Sequence, residues 1–175
     1  MFCFGVLWQP GVKTLHHSVF HHKNGIWLEG LGHGGFYSLN YERQLWTKNK
    51  SVTLARVGSA WYPEKMTAYK LWVPVSIHHL LVKRHHAWEL GIAQIITTIP
   101  NVTDDIDAVK TRLHSGFTLG YRYAPGPGRI AFKAAFTPLI EYRRTKSVLH
   151  TSGVIETKTG AGFLPWISAG VGIRF

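Results

Sequence analysis

Apolar and polar residues alternate with a period of two through most of the chain. Within residues 111–123, one phase holds the large apolar side chains Leu113, Phe117, Leu119, Tyr121 and Tyr123, and the other holds small or charged ones. This period is typical of β-strands, in which successive side chains point to opposite faces. Alternating segments separated by turn residues predict eight strands, at 25–32, 36–46, 52–61, 67–79, 86–97, 111–123, 129–142 and 163–175.

The predicted strands are long. Many reach the roughly 9 to 11 residues that a tilted strand needs to cross a bilayer, whereas strands of soluble proteins average about five or six. No apolar run approaches the roughly 18 to 20 residues of a transmembrane helix, so a membrane role would depend on strands. We therefore expect an all-β fold, a closed antiparallel up-and-down transmembrane β-barrel of about eight strands, over residues 25–175. Residues 1–24 would be an N-terminal leader or extension, a possible signal-peptide remnant.

Composition supports strands and narrows the choice of partners. The chain carries 7 Trp, 7 Tyr, 9 Phe and 18 Gly against nine acidic residues, a mixture suited to twisted strands and tight turns. The net charge of +11 comes from basic residues spread along the chain, which does not favour nucleic acid as a partner. The same charges would attract the phosphates of outer-membrane lipids and lipopolysaccharide.

Charged residues within the predicted strands fall on the phase opposite the main apolar set. Buried charges need partners, so a closed barrel could hold them as a polar network in its lumen. The residues predicted for this network are Glu29, Glu42, Arg56, Lys70, Glu89, Arg112, Arg122, Lys133, Glu141 and Arg174. A soluble sandwich or lipocalin-like barrel would instead bury the aromatic phase, and alternation by itself leaves both arrangements open.

Connection lengths and aromatic positions favour the membrane barrel. Short connections (TKNK, VKR, PGPG) fall at one end of the predicted barrel. Longer ones, at YPEK, IPNVTDDIDAVK and RRTKSVLHTSGVIETKTGA, fall at the other. Outer-membrane barrels sort short turns to the periplasm and long loops to the outside in this way. An aromatic girdle at the lipid headgroups is predicted from the strand-end residues Trp46, Trp61, Tyr62, Tyr123 and Tyr142.

Several segments, in order, are similar to those of a known family. LGHGGFYSLNYERQL, HHAWELGIA, GFTLGYRYAPGPGRIAFKAAFTPLI and the closing GIRF resemble a family of small, mostly uncharacterised outer-membrane β-barrel proteins of Bacteroidetes, over about residues 26–175. The resemblance implies location in the bacterial outer membrane. It also implies a terminal insertion signal, formed by Val171, Ile173 and Phe175, that the barrel-assembly machinery would read. It supplies no catalytic residue and no cofactor.

The histidine-rich stretches do not complete a catalytic or metal site in the sequence. His16, His17, His21 and His22 have spacings that two metal ligands could use, but no Cys, Asp or Glu lies beside them. The pairs at residues 78–79 and 85–86 flank a predicted short turn, where polar interface residues are expected. His114 and Ser115 are adjacent and so point to opposite faces of a strand, which prevents a Ser–His catalytic pair.

The sequence thus predicts a barrel without enzyme activity, metal or cofactor, with a structural or partner-binding role. A filled barrel of this size would serve as an accessory subunit of a larger envelope complex, with a protein partner. The alternatives are a lipid-modifying barrel enzyme, a narrow channel and a soluble lipocalin-like binder. Eight strands leave an interior just wide enough for side chains to fill, which argues against conduction.

Overall fold

The computed structural model describes residues 22–62, 71–100, 109–125, 128–148 and 155–175. Ten strands follow in chain order: β1 (Asn24–Gly32), β2 (Gly35–Lys48), β3 (Ser51–Trp61), β4 (Leu71–Lys83), β5 (His86–Pro100), β6 (Val109–Tyr123), β7 (Ile130–Phe136), β8 (Leu139–Val148), β9 (Ile155–Leu164) and β10 (Ile167–Arg174). Within these ranges, no helix has the length and apolar character needed to cross a membrane.

The strands close into one antiparallel barrel. Strands β1 to β5 each pair with the next, and β6 pairs with β7 over residues 119–123 and with β8 over residues 114–116. Strand β7 pairs with β10, β8 pairs with β9, and β10 returns to β1. Because β7 and β8 are two halves of one interrupted strand, as are β9 and β10, the barrel has eight strands. The predicted all-β, closed, up-and-down architecture is confirmed.

Two prolines cause the interruptions. In the register of the paired strands, Pro138 lies opposite Pro165, and neither can donate a backbone hydrogen bond. The neighbouring Thr137 amide still bonds to the Trp166 carbonyl at 2.7 Å, which holds the two broken strands together. Beyond the break both strands run further than predicted, because β8 continues to Val148 and β9 begins at Ile155.

The fourth strand ends later than predicted. Strand β4 covers Leu71–Lys83 and so runs past the predicted end at residue 79, while residues 63–70 lie outside the described part of the chain. Short turns at 49–50 and 84–85 lie at the same end of the barrel as Phe175, here called the turn end. The opposite end, to which residues 63–70, 101–108 and 149–154 connect, is called the loop end.

The last strand stays paired to its final residue. The Phe175 amide donates to the Asn24 carbonyl at 2.9 Å, and the Asn24 amide donates to the Phe175 carbonyl at 3.0 Å. These two hydrogen bonds close the barrel seam at the turn end. The three residues of the predicted insertion signal, Val171, Ile173 and Phe175, all lie exposed on the outer face of this seam.

Side chains alternate between an exposed apolar outer face and a filled interior. Most of the large apolar side chains are on the outer face, among them Leu28, Leu39, Ile92, Leu119 and Ile173, each about half exposed or more. The interior carries apolar residues at both ends. The turn-end apolar cluster comprises Trp27, Val52, Leu54, Leu80, Val82, Ala87, Ala124 and Ala131. The loop-end apolar cluster comprises Ala60, Tyr62, Trp72, Ala93, Ile95 and Leu139, with Trp166 against it.

Gly172 makes room for the Trp27 indole, and this contact can be tested. The two residues are cross-strand partners, and a Cβ at Gly172 would lie 2.4 Å from Trp27 Cδ2. We predict that Gly172→Ala destabilises the folded barrel by about 1–3 kcal/mol, the usual cost of overpacking. The measurement is the urea midpoint of unfolding in detergent micelles. Gly160→Ala, at a site with no neighbouring atom within 4 Å, is the control, and equal midpoints for the two variants would contradict the prediction.

Candidate functional site in the barrel interior

Charged side chains from six strands meet between the two apolar clusters. We call this set the interior charge cluster: Glu29, Glu42, Arg56, Glu89, Arg122 and Lys133. All six are at most 6% exposed. Each of them lies next to the turn-end apolar cluster. The adjacent inward-facing residue on the same strand, in the direction of the turn end, is either a member of that cluster or the cross-strand partner of a member. The cluster contains three carboxylates and three cations, so its formal charges balance.

Arg122 is the centre of the cluster. Its Nε and Nη2 atoms donate to Glu89 Oε2 and Oε1, both at 2.7 Å. Its Nη1 and Nη2 atoms donate to Glu42 Oε1 and Oε2, both at 2.8 Å. One planar guanidinium thus binds two carboxylates at two adjacent edges, using the fork geometry that makes arginine suited to buried ion pairs.

Arg56 and Lys133 extend the pairing to the third carboxylate. Arg56 Nη2 donates to Glu42 Oε2 at 2.7 Å, and its Nη1 atom lies 3.5 Å from Glu29 Oε2. Lys133 Nζ donates to the same Glu29 oxygen at 2.5 Å. All three cations lie near the Trp27 ring, with Arg122 Cζ closest at 4.9 Å from its centroid. Trp27 therefore joins the charge cluster to the turn-end apolar cluster beneath it.

His78 belongs to this interior, contrary to the sequence expectation of a polar residue beside a turn. The side chain is 1% exposed, and its Nδ1 atom lies 2.7 Å from Glu89 Oε1. Its Nε2 atom lies 2.8 Å from the Ser76 hydroxyl. A Cβ at Gly91 would lie 2.4 Å from His78 Nδ1, so the glycine provides the space for the ring. The available signal was that His78 shares the phase of Lys70, which was predicted to face the lumen.

The β1–β2 turn folds into the loop end of the barrel. His33 in this turn is buried, and its Nε2 atom lies 3.2 Å from the Phe117 carbonyl oxygen. Burial lowers the pKa of His33 to about 4, so the imidazole is neutral at neutral pH. Because a carbonyl only accepts, Nε2 carries the hydrogen in this contact. The ring fills interior space beside Gly116, where a Cβ would lie 2.9 Å from Nε2.

Tyr62 is not part of an outward girdle, and that part of the prediction is wrong. The residue is 1% exposed, because its ring packs in the loop-end apolar cluster, edge-on to Trp72. Its hydroxyl donates to the Gly34 carbonyl and accepts from the Tyr37 amide at 3.0 Å. Tyr62 therefore holds the β1–β2 turn in place. The other predicted girdle residues are exposed: Trp46, Trp61, Tyr123 and Tyr142.

Three further residues predicted for the lumen network lie outside the interior charge cluster. Arg112 Nη1 donates to Glu141 Oε1 at 3.0 Å, in a separate, partly exposed pair toward the loop end. Arg174 is buried at the turn end, where its Nη2 atom donates to the Gly128 carbonyl at 2.8 Å. Lys70 lies outside the described residues.

His114 and Ser115 point to opposite faces of β6, as their adjacency in the sequence predicts. His114 is buried and stacks on Trp72 at 5.7 Å, whereas the Ser115 hydroxyl contacts Gln94 on the outer face. The described residues contain no group of three metal-ligating side chains. His16, His17 and His21 fall outside these residues.

Side chains fill the barrel at the level of the charge cluster. The cavity on its turn-end side, lined by Glu42, Leu54, Leu80, Arg122 and Arg174 among others, has a volume of about 10 Å³. One water needs about this much space. The six charges therefore form a compact, paired polar core.

No family model matches the chain, and no curated relative matches it. Among solved structures, the N-terminal β-barrel domain of Pseudomonas aeruginosa OprF matches with a TM-score of 0.47 at 9% identity. The match covers 87% of this chain and 95% of that one.

Removal of Arg122 should be costly. We predict that Arg122→Met destabilises the barrel by about 3–5 kcal/mol, because it leaves Glu42 and Glu89 buried with too little positive charge. Arg112→Met, which breaks a partly exposed pair, should cost about 1 kcal/mol or less. Urea unfolding of both variants in the same detergent measures the difference. Similar losses for the two variants would contradict the central position of Arg122.

The role of the Tyr62 hydroxyl can be tested locally. Tyr62→Phe removes the acceptor of the Tyr37 amide hydrogen bond. This change should lower the free energy of unfolding by about 1 kcal/mol. We expect faster hydrogen exchange of the Tyr37 amide, with little change in the exchange of strands β4 and β5. The control is Tyr142→Phe, which alters an exposed ring. Unchanged exchange at Tyr37 would rule out the proposed contact.

Proposed function

We propose that this chain is an integral protein of the bacterial outer membrane that acts as a rigid, non-enzymatic anchor within a larger envelope complex. The observation that carries the proposal is the inverted distribution of side chains. Most of the large apolar side chains face outward, and six paired charges lie inside. In water such an outer face would be a large exposed apolar patch, whereas in a bilayer it contacts lipid.

Membership in the Bacteroidetes family and insertion by the barrel-assembly machinery are part of this proposal. The outward positions of Val171, Ile173 and Phe175 on a seam that stays paired support the insertion signal. The short turns at the same end support a periplasmic position for that end.

The filled interior weighs against the alternatives. A channel needs a continuous aqueous path, but Arg122 and its partners occupy the centre of the barrel. A lipocalin-like binder or a lipid-modifying enzyme with an interior site would need an apolar ligand cavity, and the interior charge cluster occupies that position.

The hairpin formed by β8 and β9 supports a partner-binding role. Only the first three residues of β8 pair with β6, and the rest of β8 pairs with β9 alone. Within the described residues, β9 has no strand on its other side before β10 begins. The hairpin therefore continues beyond the barrel wall with a free backbone edge, which a strand of another protein could extend.

Membrane insertion is tested by envelope fractionation and gel migration. The chain, expressed with a secretion signal, should appear in the outer-membrane fraction and migrate differently with and without boiling, because a closed barrel resists the detergent until it is heated. A soluble protein with one mobility would contradict the proposal and would make the outward apolar face a core or an interface.

Partner binding is tested by shortening the hairpin. Replacement of residues 145–158 by Asn-Gly joins Arg144 to Thr159, which are cross-strand partners, through a two-residue turn. The shortened protein should keep its heat-dependent migration. A protein that co-purifies with the wild type should be lost from it. Recovery of the wild type solely as a monomer with nothing bound would contradict the role in a complex.

A further inference from the structure

A groove crosses the outer face of the barrel over strands β1, β10, β7, β6 and β5. Its volume is about 690 Å³. Gly30, Ala169 and Ala134, which are neighbours in the sheet register, form its floor. Larger side chains, among them Leu31, Phe136 and Ile167, form its walls. The groove is open to the outside and almost entirely apolar, so it can take a hydrocarbon chain.

The groove has a direction and a length. From the floor, the register continues through Tyr121 on β6 to Trp88 on β5, and both residues line the end of the groove. The five strands from Gly30 to Trp88 span about 19 Å, at 4.7–4.9 Å per strand. One leaflet of a bilayer has a hydrocarbon depth of about 15 Å. A single acyl chain lying obliquely along the groove would therefore cover about one leaflet.

A basic turn lies directly beside the Trp88 end of the groove. Lys83 and His86 are cross-strand partners on either side of the β4–β5 turn, and both are exposed and share the outward phase of Trp88. His86 is two residues from Trp88, or about 7 Å along the strand. Its ring stacks with Tyr121 and Tyr123 at centroid distances of 5.8 and 5.2 Å.

Arg84 in the same turn is exposed and has a φ of 57°. This left-handed region favours glycine, and a non-glycine residue there is uncommon. The turn thus carries a second cation at a position where the backbone alone would favour glycine. Two cations and the aromatic set around His86 adjoin the end of an apolar groove.

We propose that this surface binds one anionic phospholipid, with an acyl chain in the groove and the headgroup phosphate at Lys83 and Arg84. The proposal rests on the proposed membrane location, with the turn end at the periplasmic leaflet. The charge of the turn selects the ligand class, since cations near a membrane surface attract anionic lipid. A zwitterionic lipid has the same chains but no net negative charge, so it should bind more weakly.

Native mass spectrometry of the detergent-purified barrel tests this proposal. The probes are palmitoyl-oleoyl phosphatidylglycerol and palmitoyl-oleoyl phosphatidylcholine, which share acyl chains. We expect the wild type to bind phosphatidylglycerol about tenfold more tightly. Lys83→Gln with Arg84→Gln should abolish this preference. Ala169→Leu, which fills the groove floor, should weaken the binding of both lipids several-fold.

Matched controls make the outcome decisive. Lys23→Gln with Arg43→Gln removes two exposed charges near β1 and β2, and Ala55→Leu enlarges an outward alanine on β3, away from the groove. Both should bind like the wild type. Equal binding of the two lipids by the wild type and all variants would overturn the proposal. A wild-type dimer that Ala169→Leu dissociates would also overturn it, because the groove would then bind a second copy of the chain. Boiled and unboiled gels of the same samples show whether the barrel itself is folded, so failure of lipid binding is distinguished from failure of the membrane-barrel proposal.

Discussion

The guanidinium of Arg122 between Glu42 and Glu89 is the interaction on which the interior depends. It joins strands β2, β5 and β6, which are not all neighbours in the barrel wall, and so ties the wall together across its centre. Removing charges from water is costly, and the cost is offset only when every carboxylate is paired and hydrogen-bonded. Here Arg56 and Lys133 complete that pairing and bring Glu29 into the same network. The network sets the inward face of six strands and, since side chains alternate, it also sets their outward face.

The apolar layers on either side of this network explain how charges can be held at the centre of so narrow a barrel. The turn-end apolar cluster closes one side, with Trp27 in contact with both layers. On the other side, His33, Tyr62 and Trp72 fill the loop end. Glycines such as Gly91, Gly116 and Gly172 make room where rings meet the wall. Low water access strengthens the ion pairs of the cluster.

The alternation of residues was sufficient to predict the barrel, the strand count and the general positions of most interior charges. It was insufficient where both phases of a strand are apolar. In β3, Val52 and Leu54 share the inward phase with Arg56, so the turn-end apolar cluster could not be separated from the outer face. Tyr62 continues the inward phase of Arg56 and Ala60, so the alternation itself indicated an interior position rather than a place in the girdle. His33 depends on how the β1–β2 turn folds into the barrel, which no period describes. The paired strand breaks had a local signal in Pro138 and Pro165, but their alignment depends on the register of two distant segments.

The orientation of the outer face is the central claim, and Ile92 tests it most directly. This residue is 69% exposed midway along β5. A nitroxide label can be attached there as Ile92→Cys in a Cys3→Ser background, since Cys3 is the single cysteine. After reconstitution into lipid bilayers, the label should be accessible to oxygen and protected from a water-soluble nickel chelate, as expected of a lipid-facing site. Accessibility to the nickel chelate, equal to that of a label at the exposed turn residue Lys50, would contradict a membrane-embedded barrel.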